Sequence, residues 1–328
     1  MKLTKLDFWL GQLHPTWSLT ECRARVVDVI VETADTRTFV LAPNRRWAGH
    51  RPGQYVPVEV ELDGVRTRRC YSISNHGDGW IAITVQRVPG GQLSNHLHDH
   101  VGVGAVVVLG AAAGDFTLPA ATPRKLLLVA GGSGVTPIIA LARDLAARAT
   151  ATSGALDVVI VHAARTDADA ICARDLGALA ASHPGVRLIA HRGLVTRDVL
   201  DSIDHGDRDV YVCGPAGLID LVEATCARVR HERFVAPPRA TPTTGAVLVT
   251  VDGRDVAVDG RGPLLEQLER AGERPRHGCR MGICGSCRCH KLAGTSIDLV
   301  TGARSTTAGD IKLCVTAAGS DLQLERIA

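Results

Sequence analysis

The stretch "CRMGICGSCRCH", residues 279–290, places four cysteines within eleven positions, with glycines between them and arginines beside them. Cys279, Cys284 and Cys287 follow a C-x4-C-x2-C spacing, and Cys314 stands 27 positions after the last of these, in "IKLCVT". Three ligands on one loop oblige the backbone to wrap around whatever they hold. Gly278, Gly282 and Gly285 permit that wrap and let amide N–H groups approach the ligands. A structural zinc site would use two short Cys/His pairs, and only Cys284–Cys287 makes one. Free or disulfide-bonded thiols are the remaining alternative. Cys289 alternates with Cys287 and falls outside the ligand pattern. Cys22, Cys70, Cys172 and Cys226 read as small buried hydrophobes.

The spacing is that of a plant-type [2Fe–2S] site, whose two irons need four thiolates. The bulk numbers agree with a redox protein in a reducing compartment. Ten cysteines in 328 residues is not disulfide density, and clustered thiols without an export signal imply a cytoplasmic location. Lys2 and Lys5 are followed by no sustained apolar run, so no signal peptide is expected. The most apolar stretch, "KLLLVAGGSGVTPIIALA" (125–142), is interrupted by glycines and a Thr-Pro step, which rules it out as a membrane span. Hydrophobic content of 45% and charged content of 22% fit a soluble globular protein of two or three domains. With 3% aromatics the core must be aliphatic, and a net charge of +3 gives no argument for nucleic-acid binding.

Around the cysteine loop, "AVLVTVDGRDVAVDG" (246–260) alternates as a hairpin turning at Asp252-Gly253. "PLLEQLERAGE" (263–273) reads as a helix with a start at Pro263 and a stop near Gly272. "DLQLERI" would be a closing strand. This last third resembles plant-type ferredoxins. "APPRATPTTG" (236–245) is a linker by composition. Upstream, residues 124–235 alternate strand and helix: "RKLLLVA", the glycine turn "GGSGVTP" (131–137), helix "IIALARDLAARA", strand "LDVVIVHAAR", helix "DAICARDLGALAA", then strands "VRLIAH" and "DVYVCGP". That pattern predicts a parallel sheet with crossover helices. The glycine turn would let a pyrophosphate meet backbone N–H groups and a helix dipole. Residues 21–120 hold six strand patterns and one helix, "GGQLSNHLHDHV" (90–101), as a small antiparallel barrel would. The expected chain is therefore multidomain: an N-terminal segment (1–20), an antiparallel β-barrel flavin domain (21–120), an α/β parallel-sheet nucleotide domain (121–235), a linker (236–245) and an α+β β-grasp ferredoxin domain (246–328).

"RCYSIS" (69–74), "GGQLS" (90–94), "AGDFTLP" (113–119), "GGSGVTP" and "VCGP" (212–215) occur in that order, and together they resemble the ferredoxin–NADP reductase family. The tail resembles the subgroup with its own C-terminal [2Fe–2S] domain. The beginning, "HPTWSLTECRARVVDVIVETADTRTFVLAP", resembles reductases that serve membrane acyl-CoA desaturases. The resemblance implies that Arg69 meets the flavin phosphate, that Tyr71 packs on the isoalloxazine and that the Ser72 hydroxyl approaches N5, with Cys70 and Gln86 also at the flavin. It implies that Gly91, Gln92, Leu93 and Ser94 hold the pyrophosphate of FAD. It implies that Gly132, Gly134, Thr136, Gly214 and Pro215 bind the nicotinamide nucleotide, with Thr136 and Cys213 near the nicotinamide; Ser72, Thr136 and Cys213 are the catalytic candidates. Arg165 ends a strand where an arginine accommodates a 2′-phosphate, which points to NADPH, with NADH as the alternative.

His96, His98 and His100 invite a metal reading, but no carboxylate or cysteine with ligand spacing completes a site. Leu6, Leu10, Leu13 and Trp17 share one helical face before Pro15 disrupts it, and packing on the flavin barrel is the expected use of that face; peripheral contact with a membrane-bound partner is the other. The expected function is electron transfer from NADPH through FAD and the [2Fe–2S] cluster to an oxygen-activating partner such as a membrane acyl-CoA desaturase in fatty acid desaturation. The alternative is an NADH-dependent reductase component of a soluble mono- or dioxygenase.

Overall fold

The computed structural model describes residues 3–62, 65–74, 79–121, 125–152, 156–234, 245–277, 282, 285 and 287–326. Two compact units divide at Phe234/Val235, and most of the expected linker lies outside the described residues.

The first unit opens with helix α1 (Leu3–Leu13), followed by strands β1 (Cys22–Thr33), β2 (Thr36–Pro43), β3 (Tyr55–Leu62), β4 (Val65–Ser72) and β5 (Ile81–Gln86), helix α2 (Gln92–His100) and strand β6 (Val106–Leu109). The strands form one antiparallel sheet in the order β4-β3-β6-β1-β2-β5, and an Ile73–Ile83 bridge brings its two edges together. Alternating inward residues, among them Ala24, Val26, Phe39, Leu41, Val56, Val58 and Ile83, meet Leu93 and Leu97 of α2 in an aliphatic core. His98 lies in that layer. Burial lowers its pKa, and the neutral ring donates Nε2–H to Val85 O at 2.8 Å.

The expected packing of α1 is corrected. Leu13 is 76% exposed and Trp17 52% exposed, while Leu10 is half-buried; the side chain of Leu6 lies outside the described set. A polar anchor docks the helix instead. Buried Asp7 accepts from the Leu19 N–H and from the hydroxyls of Ser18 (3.0 Å) and Thr20 (2.8 Å). Arg23 on β1 donates to Pro15 O (3.3 Å) and Trp17 O (3.5 Å). A Cβ on Gly11 would lie 2.9 Å from that guanidinium, so a larger residue there would displace the end of the arginine side chain.

The second half of this unit contains strand β7 (Lys125–Gly131), helix α3 (Val135–Thr152), strand β8 (Asp157–Ala164), helix α4 (Ala173–Ser182), strand β9 (Val186–Arg192), helix α5 (Arg197–Asp201), strand β10 (Asp209–Cys213), helix α6 (Ala216–Thr225) and strand β11 (Val229–Glu232). All five strands are parallel, in the order β11-β10-β7-β8-β9. Buried on both faces, β7 and β8 are nearly continuous aliphatic runs. The sequence predicts four of these strands. It misses β11, whose "VRHE" has neither alternation nor an apolar run. It also starts α4 too early: Cys172 sits in the left-handed region at φ 56° and caps the helix, its N–H held by Glu32 Oε2 of β1 at 3.0 Å. Arg143 on α3 donates to Ser74 O (2.7 Å) and to Asp175 (2.6 Å). These bonds tie the barrel to the parallel sheet.

The second unit contains strands β12 (Val247–Val251) and β13 (Arg254–Val258), helix α7 (Leu264–Arg270), and strands β14 (Arg288–Ala293), β15 (Ser296–Asp298), β16 (Arg304–Ser305), β17 (Gly309–Lys312), β18 (Thr316–Ala318) and β19 (Leu322–Arg326). The main sheet runs β13-β12-β19-β14-β17, with the terminal strand β19 parallel to β12, and α7 packs Leu264, Leu265 and Leu268 into its core. This is a β-grasp. Asp252 (φ 50°) and Gly253 (φ 80°) make the hairpin turn with both residues left-handed, as a two-residue hairpin demands.

Candidate functional site

The nucleotide site is built at the carboxyl edge of the parallel sheet, where crossover connections open a crevice. β7 ends at Gly131 and the chain makes one 3-10 turn, Gly132–Gly134, before α3 begins. Gly132 has φ +54° and open space where a Cβ would be, while a Cβ on Gly134 would sit 2.2 Å from Cys213 O. One glycine therefore keeps the loop open for a ligand, and the other lets the loop lie against "VCGP". The Thr136 hydroxyl donates to Ser133 O at 3.0 Å and braces the first turn of α3. Gly134→Ala is expected to force these segments apart, costing about 1–3 kcal/mol of stability and raising the nucleotide KM. Thermal unfolding and steady-state kinetics on the same preparation test this.

Strand register assembles the rest. Cys213 lies opposite Ala130 on one side and Glu232 on the other. Burial pushes the Cys213 thiol well above its ordinary range, with the neighbouring Glu232 adding to the effect. Burial also raises Glu232, to about 7, against a smaller downward pull from the Ser72 hydroxyl. Ser72 Oγ and Glu232 Oε2 are near enough to feel each other, yet neither completes a hydrogen bond. Two orphaned buried oxygens at the meeting of the flavin motif and the nucleotide sheet mark a place prepared for a polar ligand group. Glu232 was not among the sequence candidates. Its only sequence signal is a lone acid in "VRHERF", at the end of a strand too short to recognise.

The remaining flavin candidates cluster on β4 and α2. Arg69 is half-buried and donates to Arg68 O at 2.8 Å. Tyr71 packs partly on the barrel core, and burial raises its hydroxyl pKa, so the ring stays neutral. Cys70 is half-buried beside it. Gly91 caps α2, and the Ser94 hydroxyl accepts from the Val88 N–H at 3.3 Å. The backbone N–H groups of Gln92, Leu93 and Ser94 occupy the first turn, where no intrahelical acceptor exists; the Leu93 side chain belongs to the core. Gln86 stands apart, its amide held by Asp35 at 2.9 Å. A fork donor, an aromatic plate and a free helix start suit a flavin dinucleotide.

Arg165 follows β8 at the same sheet edge, 78% exposed, with a single 3.3 Å contact to Asp169. Asp167 is engaged by Arg192 rather than by Arg165, which leaves Arg165 opposed by only one carboxylate within its own loop.

In the second unit, Cys287 and Cys314 are 3% and 2% exposed with their sulfurs 3.2 Å apart. The Gly282 N–H donates to Cys314 Sγ at 3.2 Å. Gly282 and Gly285 both have positive φ, at 76° and 67°. Two converging thiols with a backbone donor fit iron–sulfur ligation. Cys279 and Cys284 lie outside the described residues. Cys289 points into the strand core, and burial pushes it up to about 11, the state of a packing thiol. Sequence reasoning also missed Lys291. It is 1% exposed, and its ammonium donates to Ser296 Oγ (3.1 Å) and Ser305 O (2.5 Å), pinning the loop that leads back to Cys314.

This combination defines a class: a nicotinamide-nucleotide oxidoreductase with a flavin barrel and a ferredoxin unit. Residues 23–118 match the oxidoreductase FAD-binding domain family, residues 128–224 the oxidoreductase NAD-binding domain family and residues 249–318 the 2Fe-2S iron-sulfur cluster binding domain family. An NADPH oxidoreductase of Mycobacterium tuberculosis is 33% identical over 97% of this chain and 88% of its own. The glycine betaine monooxygenase reductase subunit of Chromohalobacter salexigens is 30% identical over 85% of this chain and 87% of its own. Phthalate dioxygenase reductase shares the fold at a TM-score of 0.65 and 23% identity, covering 94% of this chain and 98% of that one. The chain belongs to this family of iron–sulfur flavoprotein reductases. It is an oxidoreductase that moves electrons from NAD(P)H through FAD to a [2Fe–2S] cluster.

Proposed function

We propose that the chain is the reductase component of an oxygenase, delivering electrons singly to a separate oxygen-activating protein. The observation that supports this partner is the pair of monooxygenase reductases, glycine betaine and 3-ketosteroid-9-alpha, matched over four-fifths or more of both chains. Neither of these two names points to the desaturase expected from the N-terminal stretch. No helix among the described residues is long and apolar enough to cross a membrane. Reconstitution with a purified oxygenase component and, separately, with a desaturase tests the assignment: turnover with the first alone is expected, and turnover with the second alone refutes it.

When bound, the nicotinamide gives a hydride, the flavin receives it, and the cluster takes electrons one at a time. A hydride carries one proton with two electrons, and only electrons leave through the iron–sulfur unit. One proton per turnover must therefore reach solvent. Glu232 Oε2, titrating near 7 beside Ser72 Oγ, holds and releases that proton. Cys213, kept neutral, and Thr136 shape the nicotinamide side. Gly132 and the α2 start bind phosphates, and Arg69 and Tyr71 orient the flavin. Cys279, Cys284, Cys287 and Cys314 ligate the cluster.

We assign the 2′-phosphate of NADPH to Arg165, which is consistent with the name of the Mycobacterium tuberculosis relative. A charged hydrogen bond of this kind contributes about 1.5–3 kcal/mol. Arg165→Ala should raise the NADPH KM roughly tenfold or more while leaving that for NADH nearly unchanged. Equal effects on both nucleotides would remove Arg165 from recognition.

A further inference from the structure

We propose that the outer face of α1 and the loop beside it form a surface that rests on an anionic lipid bilayer. Trp9 and Leu13, one turn apart on α1, are 62% and 76% exposed, and Trp17, in the loop that follows and stacked on His14, is 52% exposed. Large aromatics beside an aliphatic residue, left in water, form the kind of patch that soluble surfaces rarely leave uncovered. Asn44 sets the charge next to it. Its side-chain amide donates to Thr16 O (2.9 Å) and Glu21 O (3.1 Å), so the β2–β3 loop is fixed against the Trp17 segment. The next two residues, Arg45 and Arg46, are exposed, and neither guanidinium meets a carboxylate among the described residues.

The nearby carboxylates face elsewhere. Asp7 is 7% exposed and spent on the turn that docks the helix. Glu21 is occupied by Arg23 and Arg66, both at 2.9 Å. The surface therefore presents tryptophan and leucine bordered by two arginines that meet no carboxylate among the described residues. That arrangement complements a bilayer: indoles seat at the headgroup level, leucine enters the acyl boundary, and guanidinium groups meet lipid phosphates. The segment is far too short to span, so attachment would be peripheral and reversible. A protein partner would use the apolar residues equally well, but nothing about it would require the paired arginines to remain unanswered. This inference does not depend on which oxygen-activating protein receives the electrons.

The test is flotation of the full-length, cofactor-loaded protein with vesicles of phosphatidylcholine alone and of phosphatidylcholine with phosphatidylglycerol. Binding is expected only to the anionic vesicles, with a blue shift of tryptophan emission, and it should weaken as salt rises. The triple variant Trp9→Ser, Leu13→Ser, Trp17→Ser should lower the bound fraction about tenfold or more. Arg45→Ser with Arg46→Ser, which leaves the helix untouched, should abolish the preference for anionic lipid. NADPH–ferricyanide turnover should remain at the wild-type rate in both variants, showing that the fold survives. The proposal is overturned if the wild-type protein does not float, if the triple variant floats equally well, or if the patch instead drives self-association that the triple variant loses.

Discussion

Replacing Cys314 by serine is expected to abolish the [2Fe–2S] EPR signal and reduce electron delivery to the proposed partner protein to background, while FAD and NADPH–ferricyanide turnover persist. The reason is geometric. Cys314 and Cys287 are the two described thiols that converge, 3.2 Å apart and almost fully buried. Two thiolates this close in a low-dielectric pocket would repel each other strongly; a metal resolves that conflict. Serine at either position removes a ligand the cluster cannot replace, because Cys289 is held in the strand core by pairing to Ile311 and Arg326. The same loss is expected for Cys279→Ser, Cys284→Ser and Cys287→Ser. Cys289→Ser should keep the signal. A cluster that survives Cys314→Ser but disappears with Cys289→Ser would refute the assignment.

The second large effect belongs to Glu232. Glu232→Gln keeps the size and removes the titration, so kcat should fall by about 100-fold with KM little changed, and the kcat–pH profile should lose its inflection near 7. Stability should move the other way. Folding raises this carboxyl from 4.5 to about 7, so the folded protein binds more protons than the unfolded chain between those values. The stabilisation is complete below pH 4.5 and is lost as pH rises to about 7. At about 1.4 kcal/mol per pKa unit the loss is on the order of 3 kcal/mol. At pH 8 the glutamine variant should therefore melt several degrees above wild type, while at acid pH the two should converge. A variant that retains full kcat and an unchanged pH profile would remove Glu232 from proton transfer. Such a result would leave the family and the electron path intact.

The sequence by itself determined a great deal here, because the cofactor chemistry demands particular residue types at short spacing. Four cysteines at fixed intervals, the Arg-x-Tyr-Ser run on one strand, and glycines where a backbone must turn left-handed or touch its neighbour are all local requirements. So are the barrel strands, whose alternation faces one core, and the Asp252-Gly253 turn. Tertiary structure alone decided what depends on register and packing. Glu232 becomes a functional candidate only because β11 pairs with β10 and sets it opposite Cys213, far from Ser72 in sequence yet beside it in the fold. Lys291 reads as a surface residue until β14 turns it into the core, where Ser296 and Ser305 meet its ammonium. The apolar spacing of α1 predicts burial of Leu13, but Asp7 found hydrogen-bond donors in the following turn, and Gly11 admitted the Arg23 guanidinium. A buried carboxylate with several donors fixes a helix's rotation more firmly than the last leucine of its stripe, and the indole and leucine side chains were left facing outward.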